Sequence, residues 1–205
     1  MASPIDLRDW IASAKDGLFR ELCELAPWEI TARAGPIIRR AIGALNGYTV
    51  TDGVAVHRTA TVETGATIKS PAIVSPNAFI AAGAYLRGGV FLDEGCVVGP
   101  SCELKSTFML GGSKVAHQSF IGDSIIGADV NIESGAVIAD YRNELDDKRI
   151  RILLDGEVLD TGVEKFGALV GDNARIGANA VIAPGALIRP GEIVPRLSLL
   201  DQAAR

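Results

Sequence analysis

Aliphatic residues recur at every sixth position over most of the chain. From Val50 to Leu104 each sixth residue is Val, Ile or Leu, and the residue four positions later is mostly small. After short slips the series runs from Met109 to Ile138, and it returns at Val170. A six-residue period fits neither an α-helix nor a simple alternating strand, but it is typical of stacked coils of three short strands. We therefore predict an all-β fold, a parallel β-helix of roughly six to seven coils.

The first 46 residues lack this period and instead show helical spacing. Apolar residues follow Ser3-Pro4 at intervals of three and four, Pro27 breaks the pattern, and a second helix is expected to begin near Pro36. We predict an N-terminal helical cap over residues 1–46 that covers the open first coil, with a partner-docking helix pair as the alternative.

Residues 139–169 interrupt the repeat a second time. Alternating polar and apolar residues flank Asp155-Gly156, which is a strong signal for a tight hairpin turn. We therefore predict that residues 47–205 form the β-helix, with a hairpin excursion at 139–169 that is either functional or a solvated loop. The stretch after Val194 is expected to be a short terminal cap.

Charge and composition exclude several function classes. The chain has 205 residues, a net charge of −5 and no apolar run near the ~20 residues of a membrane span, so we expect no nucleic-acid and no membrane partner. The N-terminus shows no secretory pattern, and three Cys without a CxxC motif favour a cytoplasmic protein. Two His are too few for a three-His zinc site, so no metal is expected.

The most unusual segment of the array lies between the two slips in register and contains His117. A histidine suits general-base catalysis, although a lone histidine is more often structural. Bases are scarce between residues 50 and 138, so Arg87 and Lys105 are candidates for holding a phosphate. The alternative for Lys105 is a solvated surface position.

Six motifs between Arg87 and Tyr141 resemble one known family without gaps. They are Leu86-Arg87-Gly88-Gly89, Glu103-Leu104-Lys105-Ser106, Gly112-Ser113-Lys114-Val115-Ala116-His117, Phe120-Ile121-Gly122-Asp123, Asn131-Ile132-Glu133-Ser134-Gly135-Ala136 and Ala139-Asp140-Tyr141. The segment resembles the acetyltransferase domain of the bifunctional N-acetylglucosamine-1-phosphate uridyltransferase and glucosamine-1-phosphate acetyltransferase family. The residues after the hairpin resemble its archaeal branch. The Gly-rich loop of the family's nucleotidyltransferase domain does not occur in the sequence.

The resemblance implies a left-handed β-helix that forms a homotrimer with active sites between subunits. It also implies acetyl transfer from acetyl-CoA to the amine of an amino-sugar phosphate such as glucosamine 1-phosphate, a step of UDP-N-acetylglucosamine biosynthesis. His117 matches the general base, and Ser134 a position whose backbone N–H lies near the thioester oxygen. The implied substrate-binding positions are Arg87, Lys105, Phe120, Asn131, Asp140 and Tyr141, and the implied cofactor-binding positions are Ser134 and Ala178.

Five positions depart from the family pattern. Phe120 replaces a Tyr, Asp140 replaces an Asn, and Ala178 replaces a Ser, while Glu133 and Ser134 replace a Gly-Ala pair. These departures leave two other functions open. One is a non-catalytic trimeric module that binds a sugar nucleotide or accompanies a nucleotidyltransferase. The other, motivated by Asp140, is an acyltransferase with a different acceptor.

Overall fold

A computed structural model describes residues 3–202 of the chain; residues 1–2 and 203–205, at the outer ends of the two predicted ranges, lie outside the described residues. The strands are, in chain order, β1 (Tyr48–Thr51), β2 (Val54–His57), β3 (Thr61–Val62), β4 (Thr67–Ile68), β5 (Ala72–Val74), β6 (Phe79–Ile80), β7 (Tyr85–Arg87), β8 (Val90–Leu92), β9 (Val97–Val98), β10 (Glu103–Lys105), β11 (Phe108–Met109), β12 (Lys114–Val115), β13 (Phe120–Gly122), β14 (Ile125–Ile126), β15 (Asn131–Ile132), β16 (Val137–Ile138), β17 (Arg151–Leu154), β18 (Glu157–Asp160), β19 (Ala168–Val170), β20 (Arg175–Ile176), β21 (Val181–Ile182), β22 (Ala186–Ile188), β23 (Ile193–Val194) and β24 (Leu199–Leu200).

Apart from β17 and β18, which form a separate hairpin, these strands form the three faces of a prism. Face 1 has the order β1-β2-β5-β8-β11-β14-β19-β22, face 2 the order β3-β6-β9-β12-β15-β20-β23, and face 3 the order β4-β7-β10-β13-β16-β21-β24. Apart from β1, every neighbouring pair within a face is parallel, so seven successive coils each give one strand to each face. The predicted all-β fold, a left-handed parallel β-helix with an N-terminal helical region, is confirmed.

The six-residue aliphatic series fills the interior of the prism. Its members from Val74 onward are buried side by side in one apolar cluster that includes Ile80, Leu86, Leu92, Val98, Leu104, Met109, Val115, Ile121, Ile126, Ile132, Ile138, Val170, Ile176, Ile182, Ile188 and Val194. Both slips fall where the chain turns from face 3 to face 1. These turns are one residue shorter than the six-residue spacing, and Ser106 and Asp123 adopt positive φ in them.

The first predicted member of the series, Val50, lies outside this cluster, and Val62 of the first coil is exposed as well. The Val50 side chain is 50% exposed. Its strand β1 pairs antiparallel with β2 through a turn at Asp52-Gly53 and so does not form part of a parallel coil. The parallel coils therefore begin with β2. In this arrangement β1 covers the free edge of β2 on face 1, and the C-terminal β24 continues face 3 as a further strand instead of forming a separate cap.

The N-terminal segment is helical and packs along the outside of face 1, from the first coil to the last, instead of covering the open end of the first coil as expected. It contains 3-10 helices at Leu7–Asp9, Ala12–Lys15 and Gly17–Glu21, and α-helices α1 (Pro27–Ala32) and α2 (Ala34–Ile42). Pro27 begins α1 instead of ending a helix, because the first helical N–H needs no partner. Apolar residues of the segment share one buried cluster with the outward side chains of face 1: Ala55, Ile73, Phe108, Ile125, Leu169 and Leu187.

Close backbone approach fixes α2 on the β-helix. Gly89 has φ +102°, and a Cβ at this position would lie 2.8 Å from the amide nitrogen of Gly35 in α2. Glycine is therefore required here both for the conformation and for the contact. Among residues 3–202, none of the helices has the length and apolarity needed to cross a membrane.

The excursion contains the predicted hairpin. Strands β17 and β18 pair antiparallel across the Asp155-Gly156 turn, and Ile150 and Ile152 pack into the cluster outside face 1. The guanidinium of buried Arg142 donates to the carbonyl oxygen of Pro184 and to the Asp201 carboxylate. These contacts hold the base of the excursion against the last coils.

Candidate functional site

A cleft of about 400 Å³ opens at the corner between face 3 and face 1. It is lined by Arg87, Lys105, Phe120, Asp140, Tyr141, Glu164 and Lys165. Five of the six predicted substrate-binding residues therefore lie together, although 54 positions separate the first from the last. The coil stacking explains this, because Arg87 and Lys105 are register partners on β7 and β10, and Asp140 follows β16. Glu164 and Lys165 come from the excursion and were not predicted as site residues.

The centre of the cleft wall is an ion-paired triad. The Lys105 ammonium contacts the carboxylates of both Asp123 and Asp140. The three side chains are only 14%, 7% and 14% exposed, in that order. Asp123 was not predicted as a site residue, although it lies 18 residues after Lys105, about one coil further on.

Burial and hydrogen bonding set the protonation of the triad. Burial, together with the hydrogen bond to Asp140, raises the pKa of Asp123 to about 7. For Asp140 burial acts in the same direction, but hydrogen bonds from Asp123 and Lys105 outweigh it and lower the pKa. Burial opposes the charge on Lys105, yet its two carboxylate partners raise the pKa of the ammonium. The triad therefore keeps its cation and holds an extra proton on Asp123 more readily than on Asp140.

Arg87 also carries a carboxylate partner. Its Nε donates to Oε1 of Glu103 at 2.6 Å, on the neighbouring strand of face 3. Both predicted phosphate-binding cations are therefore paired with acidic side chains of the same chain.

His117, Ser134 and Ala178 lie at a different corner, between face 2 and face 3. They stack in three successive coils, since Gly135 N donates to His117 O at 2.8 Å and Asn179 N donates to Ser134 O at 3.0 Å. The imidazole of His117 is exposed, and among residues 3–202 it forms no side-chain hydrogen bond or ion pair. The predicted base and the predicted cofactor-binding positions are thus neighbours.

Within one chain, His117 does not reach the cleft. It is not among the residues that line the cleft. It precedes Gly122, the register partner of Lys105, by five positions, which at about 3.3 Å per residue is roughly 16 Å of extended chain across face 3. The expectation that coil stacking alone brings His117 beside Arg87 and Lys105 is therefore not met in a single chain.

Asn131 lies in neither group. It is on face 2 and lines a second cavity of about 290 Å³ with Glu133, Arg175 and Arg196. Arg196 donates to both oxygens of Glu133 at 2.7 and 2.6 Å, and Ala178 N donates to the same carboxylate at 2.8 Å. These hydrogen bonds, led by the one from Arg196, lower the pKa of Glu133 to about 2. This cavity therefore borders the corner that carries Ala178.

Comparisons with known proteins match this chain to one domain model and to bifunctional sugar-1-phosphate enzymes. The C-terminal domain model of GMPPB matches residues 68–164. The bifunctional sugar-1-phosphate nucleotidylyltransferase/acetyltransferase of Sulfurisphaera tokodaii is 37% identical over 78 residues, covering 38% of this chain and 19% of that protein. The bifunctional protein GlmU of Methanococcus maripaludis (strain S2) is 36% identical over 151 residues, covering 71% of this chain and 36% of that protein.

The chain is homologous to GlmU-type bifunctional proteins. The sequence resemblance is thus confirmed, and the match lies in the C-terminal region of these relatives. The chain spans about a third or less of the length of these GlmU-type relatives. Among solved structures, a point mutant of AntD, an N-acyltransferase from Bacillus cereus in complex with dTDP and coenzyme A, aligns at 17% identity with a TM-score of 0.43, over 73% of this chain and 75% of that one.

Proposed function

We propose that this chain is a CoA-dependent hexapeptide-repeat acyltransferase that acetylates the amino group of a sugar. One observation carries the proposal: Arg87, Lys105, Phe120, Asp140 and Tyr141, assigned to the acceptor by resemblance, line one cleft. The clustering of His117 with Ser134 and Ala178 at one corner supports it further. The relatives named as acetyltransferases support the same reaction class.

Acetyl-CoA is the proposed donor, and an amino-sugar phosphate such as glucosamine 1-phosphate is the first acceptor to test, as in the relatives' family. In the reaction, the acceptor nitrogen attacks the thioester carbon, the C–N bond forms and the C–S bond breaks. His117 takes the proton from the attacking amine, and the departing CoA sulfur takes up a proton. The backbone N–H of Ser134 is the proposed donor to the oxyanion.

The proposed active site needs a second copy of the chain, because the cleft and His117 lie at opposite edges of face 3. The positions in register with Phe120 across this face include the exposed apolar residues Tyr85, Val181 and Leu199. Half-buried Val137 lies in the same row, and Glu103 interrupts it between Tyr85 and Phe120. We propose that face 3 packs between subunits of a homotrimer, so that the His117 corner of one subunit faces the cleft of the next.

A non-catalytic trimeric module is the second candidate. It would bind a sugar nucleotide or accompany a separate nucleotidyltransferase. Both Arg87 and Lys105 are paired with carboxylates, so neither cation is free to hold a substrate phosphate as expected. Within this second candidate, the pairing favours the role beside a nucleotidyltransferase over the binding of a sugar nucleotide.

Release of CoA across an acceptor panel tests the two candidates. The panel contains free amino sugars, their 1-phosphates and nucleotide-linked amino sugars, each with acetyl-CoA, and thiol release is followed spectroscopically. We expect turnover with at least one amino sugar, micromolar CoA binding by calorimetry, and a trimer by light scattering. Trimeric protein that neither binds CoA nor releases it with any acceptor would overturn the enzymatic proposal in favour of the binding module.

A further inference from the structure

Asp140 occupies the side of Lys105 that faces the cleft. Asp123 approaches the same ammonium but is buried and does not line the cleft, whereas Asp140 does. A phosphate entering the cleft would therefore meet the Asp140 carboxylate at the place where it would have to contact Lys105. The hydrogen bond between the Lys105 ammonium and the Asp140 carboxylate is charge-assisted and therefore stronger than a neutral one. Displacing the Asp140 carboxylate by a phosphate is accordingly costly.

The charges around the cleft oppose a further anion. Its cations are Arg87, Lys105 and Lys165, and the carboxylates that line it or contact those cations are Glu103, Asp123, Asp140 and Glu164. With every group ionised the carboxylates outnumber the cations by one, and with Asp123 protonated the two are equal in number. In neither state does the site hold a surplus cation, so a phosphate dianion would bring uncompensated negative charge into a half-buried site where charges are poorly screened.

We propose that Asp140 is a specificity-determining residue: its carboxylate fills the anion position on Lys105, so that the cleft selects an amino sugar presenting hydroxyl or amino groups, not phosphate, to this position. The inference rests on the proposed function and narrows its acceptor class. A hydroxyl or ammonium group can donate to the Asp140 carboxylate, whereas a phosphate is repelled by it.

The test replaces the carboxylate by an amide of the same shape. Asp140→Asn leaves Asp123 on Lys105, so the ion pair that keeps the lysine charged is retained. Inorganic phosphate binding is measured by calorimetry, and kcat/KM is measured for one free amino sugar and for its 1-phosphate. In the variant we expect phosphate to bind about tenfold tighter or more, as for one gained charge-assisted hydrogen bond, and kcat/KM to shift toward the phosphorylated acceptor.

Glu164→Gln is the matched control. It removes the same charge from the same cleft, but among the described residues Glu164 forms no ion pair with Lys105. Because Glu164 belongs to the same cleft, we expect its loss to raise phosphate affinity, but by clearly less than the gain in Asp140→Asn. An equal shift in both variants would assign the effect to net charge and overturn the role of Asp140.

Two further results would overturn the inference. The first is a higher kcat/KM of the wild type for the phosphorylated acceptor than for the free amino sugar. The second is a phosphate affinity of Asp140→Asn equal to that of the wild type. Asp140→Ser serves as a second variant if the Asn variant does not fold. A protein that acetylates no acceptor would refute the proposed function. Calorimetry with inorganic phosphate needs no turnover, so the phosphate measurement would still decide the role of Asp140.

Discussion

Phe19 packs edge-to-face on Phe108, with ring centroids 5.6 Å apart and ring planes at 82°. Phe19 lies on an N-terminal 3-10 helix, and Phe108 is an outward residue of β11 in the middle of face 1. Both side chains are buried. The contact shows that the N-terminal segment shares a core with the β-helix and shields an otherwise apolar face from water.

We expect Phe19→Ala to lower the free energy of unfolding by about 3–5 kcal/mol, because it leaves a cavity against Phe108. Urea unfolding followed by circular dichroism measures the change. Arg20→Ala, an exposed neighbour on the same helix, is the control and should stay within about 0.5 kcal/mol of wild type. Equal stabilities of the Phe19 variant and the control would mean that the segment contributes no stability.

His117→Ala should lower kcat for acetyl transfer by about 10²–10⁴, the usual contribution of a general base. CoA release under saturating substrates measures the effect, and light scattering checks that assembly is unchanged. His57→Ala is the matched control, since the His57 ring contacts Thr59 and Tyr48 and lies outside the corner that carries His117. Unchanged turnover in His117→Ala would remove this residue from the mechanism.

Lys105→Met should destabilise the fold by about 3–5 kcal/mol, because it leaves the carboxylates of Asp123 and Asp140 buried without their cation. The loss should be larger at pH 8 than at pH 5, where one carboxylate is protonated. Chemical unfolding at both pH values provides the measurement. Lys114→Met, at an exposed lysine of face 2, should change stability little; a similar loss in both variants would contradict a special role for the triad.

Sequence periodicity was sufficient to predict the interior but not where the coils begin. Val50 has the same side chain and spacing as Val56, yet it lies on an antiparallel strand because Asp52-Gly53 forms a tight turn. The same dipeptide at Asp155-Gly156 correctly predicted the hairpin in the excursion. Applying that turn signal at both places would have placed the start of the coils at β2.

The part of the candidate site whose residues are one coil apart could be predicted from the sequence. Arg87 and Lys105 are 18 residues apart, which is three hexads, and they became register partners. Asn131 was grouped with them by motif, but its strand lies on face 2, so it lines another cavity. The partnership of Lys105 with Asp123 was missed, because hydrophobic periodicity carries no information about which polar side chains meet at a shortened corner.

Asp123 should make stability fall as pH rises through the neutral range. Its folded pKa of about 7, raised by burial and by Asp140, lies above its ordinary value of 3.8, so the native state binds this proton more tightly than the unfolded chain does. The contribution of the group is therefore fully present below about pH 4 and is lost progressively up to about pH 7. The unfolding free energy of wild type minus that of Asp123→Asn should decrease over this window and level off above it.

The corresponding difference for Asp140→Asn should behave in the opposite way. The pKa of Asp140 is lowered, because hydrogen bonds from Asp123 and Lys105 outweigh the effect of burial. Its contribution to stability is therefore fully present above the ordinary carboxyl pKa of 3.8 and is lost only as the pH falls below 3.8. Urea unfolding of wild type and both variants at half-unit steps from pH 3 to pH 9 separates the two carboxylates. If the Asp123 difference rises between pH 4 and pH 7, Asp123 is the ionised member of the triad and the protonation argued above is reversed.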